Sequence, residues 1–202
     1  MRRILSLLIV IAVLASLAGS AYAVTYGPVK NNPADSARLL RLPIEPYQYD
    51  HATKCRKSPT KGALAMVDWL QKNAKGAFWG IMRCEKWGKN SASLHAEGRA
   101  IDWHLSVHNA ADRAEAQRLI HLLLATDKDG NVHALARRMG VQEIIWNCTA
   151  WFSGDGGMQK YSACYDKKGK RIKIDDTSAH RDHIHIGLNW AGAKLRTSFW
   201  SR

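Results

Sequence analysis

Apolar residues at helical spacing predict three helices. The first follows Ser58-Pro59, because proline suits the first helical position, and runs to about Asn73. Its inner face is predicted to hold Leu64, Val67 and Leu70. A second helix follows Asn109, a good N-terminal cap, and its apolar stripe comprises Ala116, Leu119, Ile120, Leu123 and Leu124. A short third helix is capped by Asn131 and ends at Gly140.

Three other segments have the pattern of strands. Ala77–Cys84 alternates, which predicts Trp79 and Arg83 on the face opposite Phe78, Gly80 and Met82. Val141–Trp146 is typical of a buried strand, and His183–Leu188 forms the last one. Asn189 then caps a terminal helix. Mixed helices and short strands predict an α+β fold.

The segments between these elements are polar and irregular. Residues 85–92 are predicted to be a loop, and residues 148–180, rich in Gly, Lys and Asp, form a long loop or a small hairpin. Residues 24–57 contain four prolines, which predicts an irregular N-terminal segment before a domain that spans residues 58–202.

The first 23 residues have the three parts of a secretory signal peptide. Arg2 and Arg3 precede an apolar run from Ile4 to Ala18, and Ala21-Tyr22-Ala23 is a small-x-small ending. An uncleaved membrane anchor is the alternative, although the apolar run is short for a span. Beyond the N-terminus the chain has no twenty-residue apolar run, so we expect no stable membrane insertion once the signal is removed.

Composition places the chain among globular proteins of one domain. Of its 202 residues 46% are hydrophobic and 23% are charged, which excludes disorder and fibres. The formal net charge of +13 suits an anionic partner outside the cell, such as cell-wall polymers, lipid head groups or nucleic acid. The histidines lack the order of a nuclease motif, so anionic cell-wall polymers are the expected partners and nucleic acid is not.

Four cysteines predict two disulfides in an oxidising compartment. No pair has the C-x-x-C spacing of a metal or redox motif, and four cysteines allow three pairings. Cys55–Cys84 and Cys148–Cys164 are favoured because each closes a loop of moderate length.

Candidate chemistry lies in two segments, Ser93–Trp103 and Asp182–His185. His95, Asp102 and a histidine of the second segment would supply two nitrogens and one oxygen, and a catalytic zinc takes three protein ligands and keeps one open position. Gly98 would allow a sharp turn between His95 and Asp102. His183 and His185 are two residues apart, so on a strand both point to one face.

The run SLHAEGRAID resembles the S-x-H-x-x-G-x-A-x-D motif of the zinc D-Ala-D-Ala carboxypeptidases and dipeptidases. All five fixed positions are kept, namely Ser93, His95, Gly98, Ala100 and Asp102. In that family a catalytic acid stands three residues before the last histidine, and Asp182 and His185 have this spacing. The resemblance covers about residues 50–190. It implies the fold shared with the hedgehog signalling domain, a small antiparallel sheet that carries zinc and is flanked by helices.

The resemblance also implies roles for individual residues. One Zn²⁺ per chain would be held by His95, Asp102 and His185, and Asp182 would be the general base. His183 would either donate a hydrogen bond to the developing oxyanion or orient Asp182.

Two further residues receive more than one interpretation. The family has an arginine before the first motif that stabilises the substrate carbonyl or carboxylate, and the resemblance assigns this role to Arg83, with a plain surface charge as the alternative. Ser93 would contact substrate or hold the turn. Glu97 and His180 are expected outside the site, Glu97 as an exposed residue and His180 as a structural or surface one.

Together with the export signal, the resemblance implies a secreted zinc-dependent peptidase that hydrolyses peptidoglycan stem peptides. A direct base role for Asp182 requires the last strand to begin after it or to contain a bulge there, because a regular strand would turn its side chain away from His183 and His185. The alternative function is a non-catalytic cell-wall-binding module of the same fold. Which bond is cut, and whether the enzyme is an exopeptidase or an endopeptidase, stays open.

Overall fold

The computed structural model describes residues 26–201, so the predicted signal peptide at residues 1–23 lies outside the described residues. Within this range no helix has the length and apolar character needed to cross a membrane. Residues 26–57 contain one short 3-10 helix, Pro33–Asp35, and one helical turn, and are otherwise irregular.

The structure is α+β, with a six-stranded antiparallel sheet at its centre. In chain order the strands are β1 Ala77–Gly80, β2 Lys86–Gly88, β3 Ser91–Ala92, β4 Ala100–His104, β5 Val141–Trp146, β6 Thr149–Phe152, β7 Gln159–Lys160 and β8 His183–Leu188. The sheet has the order β1-β4-β8-β5-β6-β7, and β2 and β3 form a separate two-stranded ribbon. The helices are α1 Ala37–Leu40, α2 Lys61–Asn73, α3 Ala110–Leu124, α4 Ala134–Met139 and α5 Trp190–Ala193.

The first predicted helix forms as α2, but it begins at Lys61 rather than at Pro59, and one residue predicted for its inner face is exposed. The Thr60 hydroxyl caps the helix by accepting a hydrogen bond from the Ala63 amide. Leu64 is 50% exposed, because the buried positions at helical spacing are Ala63, Met66, Val67 and Leu70.

Most of the predictions for α3 and α4 are confirmed. The Asn109 side chain caps α3, and every residue of its predicted apolar stripe is buried. Gly140 ends α4 with φ at 73°, as predicted. Asn131 is not the cap of α4, because its side chain binds the Asp127 carboxylate and His133 stands at the cap position.

The strands β5 and β8 have the predicted bounds, whereas the predicted strand Ala77–Cys84 is too long. It ends at Gly80 as β1, after a bulge. The segment 85–92, predicted to be a loop, contains the β2–β3 ribbon, and β6 and β7 begin the 148–180 segment as a hairpin.

The sheet separates the core from a polar face by simple alternation. Ile101 and Trp103 of β4 and Ile184 and Ile186 of β8 join the helices in one buried apolar cluster. The residues between them in β4 and β8 point to the opposite face, and the register pairs Asp102 with His185 and His104 with His183. The face away from the helices therefore carries the polar residues Asp102, His104, His183 and His185.

Both predicted disulfides are confirmed. Cys55–Cys84 joins the N-terminal segment to the chain just before the β2–β3 ribbon, and Cys148–Cys164 closes the hairpin segment. No cysteine in the described part of the chain is free. Two disulfides are consistent with a secreted protein.

Candidate metal centre

The three predicted metal ligands converge on the polar face of the sheet. His95 Nε2 lies 3.0 Å from His185 Nδ1 and 3.1 Å from Asp102 Oδ1, and His185 Nδ1 lies 3.2 Å from the same oxygen. All three residues are buried, and they form a cluster that could hold a metal ion. A tetrahedral zinc with bonds of about 2.0–2.1 Å separates its ligand atoms by about 3.3 Å, so the spacing fits such an ion.

A tight turn brings His95 to the end of β4. The Gly98 amide donates to the His95 carbonyl at 3.0 Å, and Gly98 has φ at 66°, a conformation that favours glycine. A Cβ on Gly98 would lie 2.8 Å from the Ser58 carbonyl oxygen and 2.9 Å from Met82 Sδ. The turn thus requires glycine for both conformation and space, as the motif predicts.

Hydrogen bonds outside the cluster fix how the two imidazoles face it. His95 Nδ1 lies 2.7 Å from the Ile81 carbonyl oxygen, which only accepts, so this nitrogen carries the proton and Nε2 presents a lone pair. His185 Nε2 donates to Glu143 Oε1 at 2.8 Å, which leaves Nδ1 for the cluster. Such outer partners are typical of histidines that bind a metal.

The electrostatics of the cluster favour a cation between these groups. Burial raises the pKa of Asp102, but when a proton occupies the cluster in place of a metal ion, the contacts with His185 and His95 outweigh burial and hold that pKa well below its ordinary value. Burial lowers the pKa of His185, but its bonds to Asp102 and Glu143 raise it to about 9. A proton or a metal ion is therefore stabilised between His185 Nδ1 and Asp102.

Asp182 and His183 form a hydrogen-bonded pair beside the cluster. β8 begins at His183, so Asp182 is free of the strand alternation, and its Oδ1 accepts from His183 Nδ1 at 2.7 Å. The second ring nitrogen of His183, Nε2, points toward the cluster and lies 3.4 Å from Asp102 Oδ1. Asp182 Oδ2 accepts from the Thr177 hydroxyl at 2.6 Å. The imidazole therefore stands between Asp182 and the cluster.

Arg83 and Ser93 both line the cleft over the cluster. Arg83 donates to Asp102 Oδ2 at 3.3 Å and to Glu85 at 2.6 Å, while its side chain stays 51% exposed. Ser93 is buried, and its hydroxyl accepts from the Ala96 amide, which matches the turn-holding role.

Sequence reasoning missed two residues of this site, Glu143 and His180. Glu143 lies in the mostly apolar strand β5. A buried carboxylate requires a hydrogen-bond partner, but the sequence does not show which residue this is. His180 lines the cleft, and its ring centroid lies 4.7 Å from that of His183 and 5.7 Å from that of His185. Burial, followed by the charges of His185 and His183, lowers the pKa of His180 to about 3 and keeps it neutral.

Glu97 is buried, so the expectation that it is exposed was wrong. It pairs with the fully buried Arg99 at 2.8 Å and accepts from the Thr53 amide at 3.0 Å. Arg99 also donates to the carbonyls of Leu188 and Asp50, so this ion pair ties the N-terminal segment to the turn that carries His95.

Comparison with known proteins identifies one family. No curated protein and no solved structure matches the chain. The family model described as VldE, C-terminal domain, matches residues 55–173, a range that contains His95, Asp102, Glu143 and all four cysteines and ends before β8. Because the match covers more than half of the sequence, the chain belongs to the VldE C-terminal domain family.

Proposed function

We propose that the chain is a secreted zinc-dependent peptidase that hydrolyses peptidoglycan stem peptides. The observation that carries the proposal is the convergence of His95, Asp102 and His185 within hydrogen-bond distance of one another, on the floor of an open cleft. The likeness of the two motifs to the zinc D-Ala-D-Ala peptidases, and an antiparallel sheet with helices on one face, support it.

The donor set favours zinc over harder cations. Two imidazole nitrogens and one carboxylate oxygen match the three protein ligands of catalytic zinc sites, whereas calcium and magnesium prefer oxygen ligands. When bound, zinc supplies the acidification of a water molecule and the polarisation of the scissile carbonyl. The remaining steps belong to side chains of this chain.

The Asp182–His183 pair would move the proton of the attacking water to the leaving amine. Asp182 orients the imidazole through Nδ1, so Nε2 can accept and return a proton on the cleft side. The pair refines the assignment of Asp182 as the base, because His183 lines both cavities over the cluster and its imidazole stands between Asp182 and Asp102.

Arg83 and His180 would bind the substrate carbonyl. Arg83 has guanidinium N–H groups that its bonds to Asp102 and Glu85 leave free, and it is half exposed in the cleft. The neutral imidazole of His180 can donate a hydrogen bond without adding a charge beside the metal.

The extracytoplasmic location and the cell-wall partner rest on charge and cysteine chemistry. The two disulfides favour an oxidising compartment, and the basic composition suits anionic wall polymers. A non-catalytic wall-binding module of the same fold is the competing function, and the hydrogen-bonded Asp182–His183 pair speaks against it, since binding alone needs no proton acceptor.

The test is digestion of defined muropeptides, with and without a chelator, followed by mass analysis of the products. We expect cleavage of stem peptides that stops when the chelator is added and returns with Zn²⁺. Binding of the muropeptides without any cleavage by the zinc-loaded protein would favour the wall-binding module instead.

A further inference from the structure

The cleft over the cluster continues past it in both directions. A cavity of about 510 Å³ and a second of about 350 Å³ meet above the metal ligands and share the lining residues Arg83, His95, Thr177 and His183. A third cavity of about 240 Å³ extends the first and shares Trp87, Leu94 and Glu143 with it. The cluster therefore lies part-way along a groove rather than at the end of a closed pocket.

Trp79 forms a wall of this groove because of a bulge in β1. Phe78 opposes Trp103 and Gly80 opposes Asp102, so Trp79 is the extra, unpaired residue. Its ring lies 5.3 Å from the rings of His104 and His183, and half of the residue stays exposed. The bulge thus aims a large aromatic surface at the second cavity, next to the Asp182–His183 pair.

The strand that carries Trp79 is open to an extended peptide. β1 lies at the end of the sheet, so one of its edges is not paired with another strand of the described chain. Gly80 lines the second cavity, and among the described residues other than Gly80 and its two chain neighbours no atom lies within 4 Å of the position where its Cβ would be. A glycine at this point of a strand allows another backbone to approach closely.

Trp87 stands in the groove on the other side of the cluster, on the β2–β3 ribbon. It is 72% exposed and lines both the first and the third cavity. The ribbon is anchored at its base by the Cys55–Cys84 disulfide and by the hydrogen bond from the Ala92 amide to the Ala52 carbonyl. An exposed tryptophan ring keeps apolar surface in water. A ligand that covers the ring removes this surface from water, which favours binding.

We infer that the groove binds an extended peptide that crosses the cluster, with Trp79 and Trp87 contacting segments on opposite sides of the bond that is cut. This inference rests on the proposed function and narrows it to an endopeptidase that acts on cross-linked stem peptides. Water adds across an internal amide, so a C–O bond forms at the carbonyl carbon, the C–N bond breaks and the amine leaves with a proton.

The experiment compares a cross-linked muropeptide dimer with the corresponding monomer. Cleavage is measured with the zinc-loaded wild-type protein, and equilibrium binding is measured in the Asp182→Asn background, where we expect turnover to be about 10²- to 10⁴-fold slower. Trp79→Ala and Trp87→Ala are each tested for binding. Trp79→Phe and Trp87→Phe keep an aromatic ring, and Leu64→Ala, an exposed apolar residue on α2, is the matched control.

We expect internal cleavage of the dimer, and a loss of dimer affinity of about tenfold for each alanine variant. The phenylalanine variants should recover most of the affinity, and Leu64→Ala should not change it. Release of a terminal residue only, or dimer binding that neither alanine variant weakens, would overturn the inference. Dimer binding that needs both tryptophans without any cleavage would instead count against the proposed hydrolysis and leave the groove assignment in place.

Discussion

Glu143 Oε1 accepts a hydrogen bond from His185 Nε2 at 2.8 Å, which turns Nδ1 of the same imidazole toward Asp102 and His95. The two residues lie on neighbouring strands, β5 and β8, and both are buried. The Tyr49 hydroxyl donates to the second oxygen of Glu143 at 2.6 Å, so the N-terminal segment supports the same contact. The orientation of one candidate metal ligand thus depends on three distant stretches of chain.

Glu143→Gln should weaken metal binding about 10- to 100-fold, because the outer partner sets both the orientation and the basicity of His185. Competition with a chromogenic chelator would measure the affinity. Glu85→Gln, which alters an exposed carboxylate in the same cleft, is the control and should bind the metal normally. Equal metal affinity for Glu143→Gln and wild type would contradict this account of His185.

Asp182→Asn should keep the metal and lose hydrolysis. An amide in place of the carboxylate no longer holds the Nδ1 proton of His183 in the same way, and loss of a general base costs about 10²- to 10⁴-fold in kcat. Metal content and turnover are measured on the same sample, with the exposed Asp68→Asn on α2 as control. Unchanged turnover would place the proton acceptor elsewhere.

The sequence predicts the local parts of this site, and the resemblance of the second motif also assigns Asp182 and His185, but the sequence misses Glu143. His95, Gly98 and Asp102 fall within one turn and one strand, so their spacing alone places them together. Glu143 faces His185 only because β5 lies beside β8, and no local pattern reveals that neighbour.

Backbone irregularities account for the other misses. The alternation of residues in 77–84 predicts a regular strand and gives no sign of the bulge at Trp79, so it assigned Trp79 to a regular strand face. His180 reaches the cleft from a turn where its φ is 51°, and the residue type gives no sign of that conformation. Its position three residues before His183 was the one available signal.

Gly98→Ala should lower the free energy of unfolding more than Gly130→Ala does. Both glycines have positive φ, so each substitution costs about 1–2 kcal/mol in backbone conformation. Only at Gly98 does the new methyl group meet backbone atoms closer than 3.0 Å, whereas Gly130 faces open space. Denaturant unfolding measures both, and equal losses would show that the turn at Gly98 has room to relax.

Glu97→Gln should destabilise the fold by about 3–5 kcal/mol, because it leaves the fully buried Arg99 guanidinium without its anion. The same substitution at Glu85, whose partner Arg83 is half exposed, should cost about 1 kcal/mol or less. Thermal or denaturant unfolding distinguishes the two variants. A small loss at position 97 would mean that Arg99 is held mainly by the carbonyls of Leu188 and Asp50.

Elemental analysis of the purified protein, in parallel with its hydrolytic activity, tests the central claim most directly. We expect about one zinc per chain in the wild-type protein, and His185→Ala, which removes one of three ligands, should lose both the zinc and the activity. A metal-free wild-type protein that hydrolyses stem peptides at full rate would contradict the claim.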